Sequence, residues 1–160
     1  MTRQVGAETA GKMENLTEEI DNALSAAGWM PGRQVDTAEW QTRLEASGEV
    51  VMSEAARRFL AEFGGLSFPH AGTGISMARQ PFVLDPLLCL GEEDRFAEWS
   101  EELGESIFPV GEFDEGRGGF LGIDGKGVLY QVVDSLSRFA EGRAGLECLI
   151  LGIAPEPLFE

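Results

Sequence analysis

Histidine, cysteine and positive charge are all scarce in this 160-residue chain, and each shortage closes a class of function. One histidine, His70, and two cysteines, Cys89 and Cys148, cannot build a zinc site without heavy use of carboxylates. The cysteines show no metal-type or redox-type spacing. Both lie in apolar surroundings, PLLCLG and LECLILG, as small core residues of a reduced protein would. Twelve Lys and Arg stand against 28 Asp and Glu, a formal net charge of −16, which argues against nucleic acid or an anionic membrane as a direct partner. No apolar run approaches the roughly 20 residues of a membrane helix. The opening MTRQVGAETAGKMENLTEE lacks the apolar segment of a secretory signal, so the expected location is cytoplasmic.

Catalytic constellations are equally thin. A Ser/His/Asp triad would have to use His70, whose nearest hydroxyl is Ser67, and no nucleophile elbow surrounds any serine. Neither GTG (72–74) nor GRGGFLG (116–122) has the glycine spacing of a phosphate loop, and no GK[ST] follows. The segment Glu112 to Gly118 lacks the alternating oxygen ligands and the terminal bidentate glutamate of a calcium loop. Among 28 acidic residues, a carboxylate pair at glycosidase separation arises by number alone and discriminates nothing. No enzymatic activity, cofactor or metal is expected.

What the chain does have is acid in one place. From Gly91 to Glu115 it carries Glu92, Glu93, Asp94, Glu98, Glu101, Glu102, Glu105, Glu112, Asp114 and Glu115 against a single base, Arg95. More than half of the net charge sits in this stretch. Phe96, Trp99, Leu103, Ile107, Phe108, Val110 and Phe113 are interleaved with it, so a folded negative face is expected rather than an acidic tail. Such a face suits a positively charged partner, although it also serves solubility. These ten acids are the candidate partner-binding residues. Trp29, beside Gly28 and the Pro31-Gly32 turn, joins them as the tryptophan most open to partial exposure.

The organisation reads as a disordered leader (1–15), one domain (16–155) and a short tail (156–160). Helices are expected at about 17–27, 36–47, 53–63, 94–103 and 141–151 from apolar residues at helical spacing between capping signals. Asp36 is the expected N-cap of the second, with Glu39 completing a capping box and Val35 and Trp40 a staple. Ser53 caps the third, and Gly64-Gly65 ends it with a left-handed C-cap and close turn. Short extended pieces are expected at Leu66–Phe68, Gly74–Ala78 and Phe82–Leu84, and longer strands at Ile107–Glu112, Gly119–Ile123 and Val128–Val132. Asp124-Gly125-Lys126-Gly127 is the hairpin turn between the last two. Helices, then a mainly antiparallel sheet, then a closing helix make the class α+β. Phe59, Leu60, Phe63, Phe96, Trp99, Leu103, Val110, Phe120, Leu121, Ile123 and Leu149 are the expected core.

The ordered motifs resemble a known family. AAGWMPGRQVDTAEW (26–40), FLAEFGGL (59–66), PFVLDP (81–86), GEEDRFAEWSEELGESIFPVGEFDEG (91–116) and FLGIDGKGVLYQV (120–132) are similar, in order and in register, to the third subfamily of the SUKH superfamily. The resemblance covers about residues 20–153. It implies an α+β domain without enzymatic activity and an immunity protein of a bacterial polymorphic toxin system, which binds and blocks a cognate toxin, often a nuclease. It supplies no catalytic residues. Relatives elsewhere in the superfamily include regulatory and scaffold-like proteins, so an intracellular protein-binding scaffold with no toxin partner stands as the alternative. An inhibitor of a nucleic-acid-cleaving toxin must cover a basic groove, and the acidic face answers that requirement. The sequence leaves the oligomeric state open.

Overall fold

A computed structural model describes residues 2–159, with side chains from residue 15 onward. Helices α1 (Thr2–Ala27), α2 (Ala38–Glu45) and α3 (Glu54–Phe63) come first. Strands β1 (Ser67–Phe68) and β2 (Phe82–Val83), a short 3-10 turn (Pro86–Cys89) and α4 (Glu93–Leu103) follow. The chain then lays down β3 (Ile107–Phe113), β4 (Phe120–Asp124), β5 (Val128–Val132) and β6 (Leu136–Glu141), closing with α5 (Gly142–Leu151) and β7 (Glu156–Phe159). The seven strands form one sheet in chain order, every neighbour antiparallel. The class is α+β, as the order of elements in the sequence requires.

Several boundaries differ from expectation for identifiable reasons. Backbone helix runs through the stretch expected as a leader, because once a helix is anchored at Ile20, Ala23 and Leu24 each further residue adds one hydrogen bond. Asp36 accepts from the Ala38 N–H at 2.9 Å, but the N-cap is Thr37 and carries no side-chain cap bond, so the expected capping box is absent. Ser53 does cap α3, its hydroxyl accepting from the Ala56 N–H at 3.1 Å. At the other end of α3 the positive φ falls on Gly65 (+85°) and not on Gly64, which is extended. Gly64 is required for space: a Cβ there would lie 2.5 Å from the Leu60 carbonyl oxygen and 2.6 Å from the Trp40 ring.

Residues 74–78 are not a strand. The loop closes through a bridge between Gly72 and Arg79, and the amides of Ile75, Ser76 and Met77 donate to the carbonyls of Leu151 and Gly152, so their bonds go to the end of α5 rather than to a sheet. Two strands are present beyond those expected. β6 reads LSRFAE, too polar for an apolar run, and β7 holds only Glu156, Pro157, Leu158 and Phe159, expected as tail.

The sheet is covered on both faces. Ile123 and its cross-strand partner Leu129 face α3 and α5; Ile123 shares a cavity wall with Phe59 and Phe63, and a Cβ on Gly145 of α5 would sit 2.8 Å from Leu129. The alternate residues Gly122 and Tyr130 face α4. A Cβ on Gly122 would lie 3.0 Å from the ring of Phe96 and 2.5 Å from Ile107, so the absence of a side chain lets α4 settle onto the strands. One contiguous core results. Phe59, Leu60, Phe63, Phe96, Val110, Leu121, Ile123 and Leu149 are buried in it, while Trp99, Leu103 and Phe120 pack against it half-buried. Cys89 is buried, its thiol donating to the Gly111 carbonyl at 3.2 Å and held up in pKa by burial; Cys148 is half-buried and shifted the same way by burial.

The β4–β5 turn is built on a buried carboxylate. Asp124, 2 % exposed, accepts from the amides of Lys126 (2.9 Å) and Val128 (3.0 Å) through Oδ1 and from the Tyr130 hydroxyl (2.7 Å) through Oδ2. Both of its oxygens are therefore engaged inside the hairpin, and the carboxylate needs no ligand or catalytic role to account for it.

Two tests follow from the packing. Phe63→Ala should lower unfolding free energy by about 3–5 kcal/mol in urea titration, and a loss under about 1 kcal/mol would show the ring is not packed as described. Tyr130 is the single tyrosine, and burial, then its bond to Asp124, raises its pKa. A raised phenol pKa gives stability fully present below the ordinary value near about 10 and lost as pH rises beyond it. Tyrosinate absorbance should thus appear only together with loss of folded circular dichroism; a phenol titrating near pH 10 in the intact fold would contradict the burial.

Candidate functional site

Helix α4 is placed by three side chains before its acids matter. Phe96 is fully buried above Gly122. The Trp99 indole N–H donates to the Val133 carbonyl at 3.1 Å, and its ring stacks on Phe159 of β7, centroids 6.0 Å apart at 21°. Ser100 donates to the Phe96 carbonyl at 2.6 Å and accepts from the Ile107 amide at 2.9 Å, tying the last turns of the helix to the start of β3. Gly104, left-handed at φ +78°, ends it one residue past the expected helix 94–103. The helix therefore cannot roll, and its outer stripe is fixed relative to the sheet.

The ten acids do not form one uniform face. Glu92 pairs with Arg95 at 3.3 Å, Glu93 accepts from the Gly91 amide, and Asp94 accepts from the Arg95 amide at 2.9 Å; these three lie where the helix dipole favours negative charge. Glu105 pairs with Lys126 of the β4–β5 turn at 3.0 Å. Asp114 and Glu115 share Arg117 at 3.3 and 3.4 Å, in a loop that holds both at φ +54°, a conformation unfavourable to side-chain-bearing residues. Glu112 lies on β3 beside this loop.

Glu98, Glu101 and Glu102 differ. Among the described residues none of them has an ion-pair or hydrogen-bond partner. All three are exposed, and their i, i+3, i+4 spacing puts them on one stripe that runs from the middle of the helix to its negative end. Neighbouring like charges there each destabilise the helix by about 0.2–0.5 kcal/mol. With Trp99, Leu158 and Phe159 they line a groove of about 730 Å³ between α4 and the β7 end of the sheet. Leu158 and Phe159 escape sequence reading because two apolar residues after a proline carry no periodicity.

The remaining candidates lie elsewhere. Trp29 does not line the groove. It packs on α3, its indole N–H donating to Glu62 at 3.2 Å, its ring stacked near Phe63 and covered by the Arg143 guanidinium at 5.3 Å. His70 is half-buried in the loop after β1. The basic residues of α3 are occupied: Arg57 and Arg58 both bind Glu54, and the Arg57 hydrogen bond, ahead of the charge effects, holds that carboxyl at about 2. Among the described residues no group of three or more metal-ligating side chains is placed to hold a metal ion, and no helix is long and apolar enough to cross a membrane.

Chemically, the groove offers three solvated carboxylates around a fixed indole and two apolar side chains. That combination has no nucleophile–base pair and is suited to holding a cationic, partly apolar surface. Comparison with known proteins is consistent with a binding role. No curated protein and no solved structure matches the chain. One family model does, that of the SUKH-3 immunity protein, over residues 16–152. With most of its length matched in that way, and with the helices, antiparallel sheet and closing helix that the resemblance implies, this chain belongs to the SUKH-3 immunity protein family.

Proposed function

We propose that this protein acts by binding, not catalysis: in the cytoplasm it captures a cognate protein toxin of a polymorphic toxin system through the acidic surface of α4 and blocks it. The toxin surface it fits is basic, as the substrate-binding face of a nuclease is, because that face must hold a polyanion. The observation carrying the proposal is the set of three unpartnered glutamates, Glu98, Glu101 and Glu102, held on a helix that cannot roll. Their arrangement is unfavourable to the isolated helix, so an account by local stability fails. A cationic partner relieves the repulsion and gains from the carboxylates at once. Glu92, Glu93, Asp94, Glu105, Glu112, Asp114 and Glu115 extend the negative field around that stripe and raise the capture rate, which matters where a single toxin molecule can kill.

Co-expression with a toxin encoded beside it tests the role: growth should be rescued and the two proteins should co-purify. No rescue by the wild-type protein would sink the immunity role and favour the scaffold reading. The surface is tested by Glu98→Lys, Glu101→Lys and Glu102→Lys together. Association with the toxin should slow by about tenfold or more at low salt, and the difference from wild type should shrink at high salt. Circular dichroism should be unchanged, because exposed charges contribute about 1 kcal/mol or less each. Unaltered rates and protection in the folded triple variant would reduce the stripe to a solubility device.

A further inference from the structure

The groove beside α4 is more selective than its charge. A purely electrostatic surface needs no apolar floor, yet this one exposes parts of Trp99, Leu158 and Phe159 beneath three carboxylates. Its volume of about 730 Å³ exceeds what one side chain fills and suits a short segment of chain. The floor is preformed. Trp99 is held by its bond to Val133 and by Phe159, so no ring has to be ordered when the groove is occupied.

Resting on the proposed function, we infer that this groove docks a segment of the partner in which arginines flank an apolar residue. The apolar side chain lies against Leu158 and the Trp99–Phe159 stack, and the guanidiniums reach Glu98, Glu101 and Glu102. Charge complementarity selects the cations, and arginine fits better than lysine because its planar group forks onto carboxylates and stacks on aromatic rings. Docking goes through side chains and not by strand addition. β7 is a sheet edge, paired on one side with β6, but it is four residues long, contains Pro157 without an N–H, and has Glu156 committed to Arg138 at 2.9 Å. An edge blunted in that way is a poor template for another strand.

The probe is acetyl-Gly-Arg-Leu-Arg-Gly-amide, followed by amide and indole resonances of the full chain. Two comparators carry Gly in place of Leu, or Gln in place of both Arg. The first peptide should shift residues 98–102, 156–159 and the Trp99 indole, and should bind at least about fivefold tighter than either comparator. Glu98→Gln, Glu101→Gln and Glu102→Gln together should abolish that binding. The same charge removed elsewhere, by Glu18→Gln, Glu39→Gln and Glu49→Gln, should change it by less than about twofold. Leu158→Ser should erase the advantage of Leu over Gly while leaving circular dichroism intact. Equal binding of the Leu and Gly peptides, shifts spread over acids outside the groove, or no binding would overturn the groove as a docking site. Toxin protection separates this from the broader role: if Leu158→Ser protects cells as well as wild type, the groove is dispensable and the immunity role stands; if wild type fails to protect, the broader role falls first.

Discussion

Everything distinctive about the surface of this protein depends on how Phe96 meets Gly122. A Cβ at position 122 would press on Ile107 at 2.5 Å and on that ring at 3.0 Å, so the glycine gives the helix room to lie on the second face of the sheet. Ser100 then ties the helix to β3 and Trp99 ties it to the segment after β5. Once these contacts exist, the stripe of Glu98, Glu101 and Glu102 can point only outward and toward β7. Without them α4 would be an acidic helix free to rotate, and no fixed arrangement of carboxylates would exist.

The same contacts explain how an unfavourable helix survives. Three like charges at neighbouring positions, two of them in the last turn where the dipole is negative, give up a few tenths of a kcal/mol each. Full burial of Phe96 is worth about 1.5–3 kcal/mol and outweighs that loss. Elsewhere in the acidic stretch the chain relieves its own repulsion, with Arg95, Lys126 and Arg117 each placed against one or two acids. The repulsion is left unrelieved where the groove opens. If the proposed docking holds, uncompensated charge over a rigid aromatic floor would divide the work of recognition: long-range charge would set how fast a partner arrives, and short-range apolar contact which partner stays.

Much of this architecture is legible without coordinates. Ser53 and Gly104 mark helix ends because capping is decided within four or five residues, and Asp124 to Gly127 marks the hairpin for the same reason. The helical stripes of α3 and α4 identify Phe59, Leu60, Phe63 and Phe96 as core, since a 3.6-residue period needs no tertiary knowledge. β6 and β7 are illegible because short strands of mixed polarity are stabilised by their neighbours and not by their own residues. The loop at 74–78 misleads in the opposite direction: its amides are satisfied by the far end of α5, a partner remote in sequence.

The sequence by itself determined that the chain is α+β, that more than half of its excess negative charge falls between Gly91 and Glu115, and which family it resembles. Those properties are local or compositional, and local physics suffices for them. Only the tertiary structure decided which acids are already neutralised and which are free, because ion pairing depends on where Lys126, Arg117 and Arg95 come to rest. It also decided that Trp29 is engaged with Glu62 and Arg143, and that Leu158 and Phe159 complete a groove with residues some 60 positions earlier. The physical reason is that a groove belongs to two surfaces, and the distance between α4 and β7 is set by the sheet that carries them both.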